Sequence, residues 1–155
     1  AQPWRFVVLE GAEARRLGTM MSEAASRLQA AGRDTGSLAW TAAIVAQAPV
    51  TIMVYEEAPP REIPPEFHKD YHFVMTQSIG GAIQTMLLAA HSLGLGSLWI
   101  CDPLYCEDEI DAWLGRQGQQ MVAGVTLGYP AEAPNARPRH PWQEVTEWRG
   151  AAPAQ

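Results

Sequence analysis

The sequence predicts an α+β fold in which helices pack on a sheet, and three observations carry that expectation. Stretches of strong helix formers alternate with short runs of β-branched and aromatic residues. Glycine or proline closes nearly every stretch. A length of 155 residues with 47% hydrophobic content suffices for one ordinary core. Residues 1–155 are therefore expected to form a single domain, with no internal repeat or linker.

The elements follow in order. "RFVVL" (Arg5 to Leu9) reads as a strand ended by Gly11, and Ala12 to Ala31 as a helix stopped by Gly32. "SLAWTAAIVAQA" is a second helical stretch, cut by Pro49, and "VTIMVY" (Val50 to Tyr55) is a strand. "EEAPPREIPPEF" has four prolines in twelve residues, which excludes regular structure and suggests a surface loop or flap. From Tyr71 to Leu93, apolar residues recur at Ile79, Ile83, Met86, Leu87, Ala90 and Leu93, the spacing of one helical face. Small Ser78, Gly80 and Gly81 on this helix permit close approach of another element. "SLWIC" is a buried strand, and "YCEDEIDAWLG" a short helix with Glu107, Asp108 and Glu109 where the helix dipole favours acids. "MVAGVTLGY" (Met121 to Tyr129) is a last core strand, followed by an extended, proline-rich tail.

Composition excludes several functions. A formal net charge of −6 argues against a nucleic-acid binder, which needs a basic footprint for phosphates. No membrane span is expected, because the apolar stretch "MLLAAHSLGLGSLWI" is short and broken by polar and glycine residues. The spacing of Cys101 and Cys106 matches neither a redox pair nor a zinc knuckle, so both read as free thiols in a reducing cytoplasm. No phosphate loop, Gly-x-Ser-x-Gly elbow or zinc helix is present. "GLGSLW" lacks the third glycine of a dinucleotide fingerprint and lies between a helix and a strand, the reverse of that motif's order. His68 and His72, one turn apart, lack the further ligands of a metal site and read as exposed residues at a loop-to-helix junction.

Four segments then stand in a definite order: "QPWRF", "SIGGAIQTMLLAAHSLGLGSLWI", "GVTLGYP" and "RPRHPWQEV". Together they resemble the FMN-dependent nitroreductase family, over nearly the whole chain. The resemblance implies a central, mostly antiparallel sheet flanked by helices, with an extended C-terminal tail. It implies a homodimer with FMN at the interface, reduced by NAD(P)H and reoxidised by a nitroaromatic, quinone or similar small acceptor in a ping-pong cycle. The flavin would carry the redox chemistry, in keeping with the lack of an evident catalytic side-chain set.

Residues are carried over by motif. Arg137 and Arg139 match the family's late basic pair against the FMN phosphate, and an extended segment sets residues two apart on one side. The bland alternative is a solvated basic tail. Leu95, Gly96 and Ser97 match the turn beside the isoalloxazine, where Gly94 and Gly96 also serve as a helix stop and strand start. Gln2, Pro3 and Trp4 match the corner near the flavin, and also make a sound packing corner.

The chain departs from the family at its start. The leading helix, an Arg-x-Ser-x-Arg phosphate segment and a Pro-Ser-x-x-Asn stretch are missing from this sequence. Either a preceding segment is absent from this chain or the chain is a shortened variant, and the missing initiator Met favours the first. Charged hydrogen bonds to phosphate contribute roughly 1.5–3 kcal/mol each, so the chain is expected to bind FMN weakly or not at all. Two rival uses of the fold stay open: a flavin-cleaving or deazaflavin-cofactor-maturing enzyme, and a non-catalytic flavin-binding domain.

Overall fold

The computed structural model describes residues 2–59 and 62–150, so Pro60 and Arg61 of the proline-rich segment lie outside the described residues. The elements run β1 (Trp4–Glu10), α1 (Ala12–Ala30), α2 (Leu38–Gln47), β2 (Val50–Glu56), α3 (His68–Ser92), β3 (Gly96–Ile100), α4 (Glu107–Leu114) and β4 (Gln120–Gly128). The strands form one sheet in the order β1-β2-β4-β3, antiparallel throughout, which is the α+β architecture expected from the sequence. A 3-10 turn over Asp102–Cys106 leads into α4, where the sequence suggested helix from Tyr105 onward.

Strand alternation sorts the side chains into two cores. On one face, Leu9, Met53, Tyr55, Ile100 and Met121 pack under Leu17 and Met21 of α1, Leu38 and Val45 of α2, and Ile110 of α4. On the other, Val54, Ala123 and Val125 meet Ile79 and Ile83 of α3, with Trp4 and Phe6 of β1 packed alongside. Val54 opposes Ala123 while Tyr55 opposes Met121, so Val122 is an extra residue in the ladder. This bulge reverses the alternation of β4, sending Met121 to the first core and Ala123 to the second. Helices α1 and α2 cross closely because Gly18 has no side chain: a Cβ there would lie 2.7 Å from the Ala46 backbone nitrogen.

Helix α3 differs from the sequence expectation in two respects. It starts at His68 rather than Tyr71, nucleated by a 3-10 turn over Pro65–Phe67, because proline suits the first turn of a helix. Leu93, expected on the buried face, is 75% exposed, since the helix has ended and the chain turns away at Gly94 with φ +75°. One helix passes a length and composition test that core helices also pass. Pro65–Ser92 is 28 residues with mean hydropathy 1.3, long and apolar enough by length and composition to cross a membrane. The stretch weighed from sequence, Met86 to Ile100, is divided as expected between the end of this helix and β3. Only Ile79, Ile83 and Ala90 of this helix are buried, and Ile79 and Ile83 pack against the sheet face.

Candidate functional site

The residues singled out from the sequence fall in three places. Pro3 is buried and its carbonyl accepts the Glu57 N–H at 2.7 Å, so the Gln2-Pro3-Trp4 corner is fixed to the end of β2. Trp4 pairs with Glu56, which in turn pairs with Gln120 of β4. Gly96 and Ser97 start β3 on the opposite sheet edge, paired with Gly128 and Leu127 at the other end of the strands. A seven-residue strand spans roughly 20 Å, so the corner and the Leu95-Gly96-Ser97 turn are not brought together within one copy. Gly96 serves packing, since a Cβ there would sit 3.3 Å from Pro130. Gly80 lies under the Trp99 ring, while a Cβ at Gly81 would meet open space.

Arg137 and Arg139 lie in the tail, where every described residue from Tyr129 onward is exposed. Arg139 donates to the neighbouring Pro138 carbonyl, and neither guanidinium forms an ion pair among the described residues. Two cationic forks without carboxylate partners suit the donor chemistry of a phosphate monoester. A single copy does not assemble the corner, the Leu95-Gly96-Ser97 turn and the two arginines into one pocket.

A polar cleft that the sequence reading missed lies between the end of β2 and the start of α3. Glu56, assigned from sequence to the proline-rich loop, is the last residue of β2 and only 4% exposed. Alternation with Ile52 and Val54 turns it toward α3, and that pattern was the available signal. His72 Nδ1 lies 2.9 Å from Glu56 Oε1, while Oε2 is buried without a partner. Thr76, Gln120, Met121 and Val122 complete a cleft of about 280 Å³. A second, larger hollow of about 630 Å³ lies beside it, lined by Ile63, Phe67, Tyr71, Val74 and others.

The remaining buried ionisable groups support the fold. Tyr55 donates to Asp111 Oδ1 at 2.8 Å inside the first core. Burial and the Asp111 hydrogen bond push the tyrosine well above its usual range. Burial raises the Asp111 carboxyl, a shift the Tyr55 hydrogen bond opposes. Burial likewise pushes the Cys106 thiol up to about 11, an inert value, and both cysteines are free as expected. Among the described residues no three His, Cys, Asp or Glu side chains converge as a metal site.

Comparison with known proteins agrees with the motif order. The profile of the Nitroreductase family matches residues 1–129. The chain belongs to the nitroreductase family. A relative from Methanothermobacter thermautotrophicus, provisionally named an NADH dehydrogenase/NAD(P)H nitroreductase, is 31% identical over 141 residues. That match takes in 88% of this nitroreductase-family chain, which spans 60% of the curated relative's length. The NADPH:FMN oxidoreductase of Vibrio harveyi, solved with NAD+, shares the fold at TM-score 0.73 and 20% identity, over 99% of this chain and 62% of that one. A nitroreductase-type protein from Desulfovibrio desulfuricans, solved with FMN, aligns at TM-score 0.67 and 23% identity, over 97% and 74%. A BluB-like flavoprotein from Clostridium difficile aligns at TM-score 0.69 and 20% identity, over 96% and 80%.

Proposed function

We propose that this chain forms the core of an FMN-dependent NAD(P)H oxidoreductase that reduces nitroaromatic, quinone or similar small acceptors by a ping-pong cycle. The observation that carries the reading is the pairing of family membership with the unengaged Arg137 and Arg139. Arg137 and Arg139 would hold the phosphate, with Gln2, Pro3, Trp4, Leu95, Gly96 and Ser97 along the ring. Bound FMN supplies hydride transfer between NAD(P)H and the acceptor. The protein's share is to orient the flavin and to keep one face open for the two substrates in turn.

We infer a homodimer with FMN at the interface. The separation of the corner from the Gly96 turn supports it, because a second copy can bring the two ends of the sheet together. Val74, Gly81 and Leu88 recur at sevens on the side of α3 opposite Ile79 and Ile83, leaving an exposed apolar face with room at Gly81. Trp142, Val145 and Trp148 are exposed in the tail, as expected of a segment that lies on a partner. The free thiols fit a cytoplasmic compartment.

The test combines light scattering, FMN fluorescence titration and NADPH or NADH oxidation with menadione or nitrofurazone. A dimer that binds added FMN weakly, in keeping with the phosphate segment missing from this sequence, and turns over the acceptor is expected. Tight FMN binding without turnover would leave a non-catalytic flavin-binding domain as the better reading.

A further inference from the structure

We propose that His72, held by Glu56, is the proton donor to the acceptor; the inference rests on the oxidoreductase reading above. Glu56 is buried at the end of β2, and a carboxylate only accepts hydrogen bonds, so His72 Nδ1 carries the hydrogen between them. That fixes the ring and leaves Nε2 as the nitrogen presented outward. Nε2 has no hydrogen-bond partner among the described residues, and the side chain is about half exposed. A buried carboxylate behind an outward-facing imidazole is the arrangement by which proteins orient a general acid or base.

The surroundings fit this role. Glu56 Oε2 is buried without a partner, so no other described side chain shares the carboxylate's charge with the imidazole. The cleft residues Thr76 from α3, and Gln120, Met121 and Val122 from β4, are all uncharged. The Tyr71 ring stands edge-on to the imidazole with centroids 6.0 Å apart, and it also lines the larger hollow, where Glu62 and Asp70 are the charged groups. The dyad therefore lines the polar cleft, and Tyr71 beside it lines a hollow large enough for a small acceptor. Glu56 is also one strand from Trp4, in the corner assigned to the flavin above.

The chemistry balances with one proton from the protein. A quinone that takes two electrons and one proton, as hydride from the reduced flavin, needs one further proton on oxygen. The Nε2–H bond of the imidazolium breaks and the new O–H bond forms. The neutral imidazole then regains its proton from water.

The experiment compares wild type with His72→Gln and Glu56→Gln. In the oxidised protein, the His72 imidazole resonances are expected to shift and saturate on titration with 4-nitrobenzoate, and the shift should weaken in E56Q. In rapid mixing, H72Q is expected to slow reoxidation by menadione about a hundredfold and to flatten its pH dependence, with the effect confined to the acceptor half-reaction. A merely structural tie between α3 and β2 would lower stability without changing the pH profile. Resonances unmoved by the acceptor analogue, or a wild-type reoxidation rate and pH profile in H72Q, would overturn the proposal. A wild-type chain that NAD(P)H fails to reduce sinks the oxidoreductase reading instead, and the resonance titration still decides the role of His72.

Discussion

Replacing Tyr55 by Phe isolates one buried hydrogen bond in the larger core. The tyrosine is fully buried and its hydroxyl donates to Asp111 Oδ1 at 2.8 Å. Phe keeps the ring and its packing, so the change removes the donor and little else. A hydrogen bond to a charged acceptor contributes about 1.5–3 kcal/mol, which sets the expected loss near neutrality at ~2 kcal/mol. With a urea slope of about 2 kcal/mol/M, the unfolding midpoint should fall by about 1 M. The pH dependence gives a second check. Burial raises the folded Asp111 value above its unfolded value, so stability is lost as pH rises through the window between them. The Tyr55 hydrogen bond lowers the folded value and limits that loss, so Y55F should widen the window. At about pH 4, nearer the ordinary carboxylate range, a bond to a neutral acid is lost and the cost should shrink to ~1 kcal/mol. Equal costs at the two pH values would show that the hydroxyl does not act through the Asp111 charge.

Three further outcomes are expected. Gly18→Ala should lower the melting temperature by several degrees, since its Cβ would strike the Ala46 backbone at 2.7 Å and overpacking costs about 1–3 kcal/mol. A rise, as helix propensity alone would give, would show by calorimetry that the helix crossing is looser than described. Alanine at Arg137 and Arg139 together should weaken FMN binding by at least about tenfold in a fluorescence titration while leaving the circular dichroism unchanged; unchanged affinity sinks the phosphate assignment. Leu88→Glu, on the exposed face of α3, should shift the protein toward monomer in light scattering, and an unaltered mass at every concentration would remove that face from the interface.

Local chemistry made the elements legible in the sequence. Gly11, Gly32, Gly94 and Gly115 all adopt positive φ where the chain leaves or enters a helix, and these were the stops that divided the sequence. The run of β-branched and aromatic residues in "VTIMVY" marked β2, but glutamate at its end looked like loop, since burial of an acid depends on a partner sixteen residues away. His72 was misjudged for the same reason: its exposure was read correctly, its attachment was not. The motif order identified the family, yet motif order says nothing of distance. Trp4 and Gly96 are neighbours in a list of flavin-site residues and lie at opposite ends of this sheet.

The extra residue at Val122 matters beyond the two cores it serves. Were Val122 paired regularly instead, β4 would keep a single alternation, and Met121 would share a face with Ala123 and Val125. Gln120 would then turn away from Glu56 and His72, and a thioether would take the place of an amide in the cleft. Deleting Val122 would instead make the ladder regular with Met121 still opposite Tyr55 and Gln120 still opposite Glu56. Whether a wet or a greasy wall meets the cleft is thus set by Val122 standing out of the ladder.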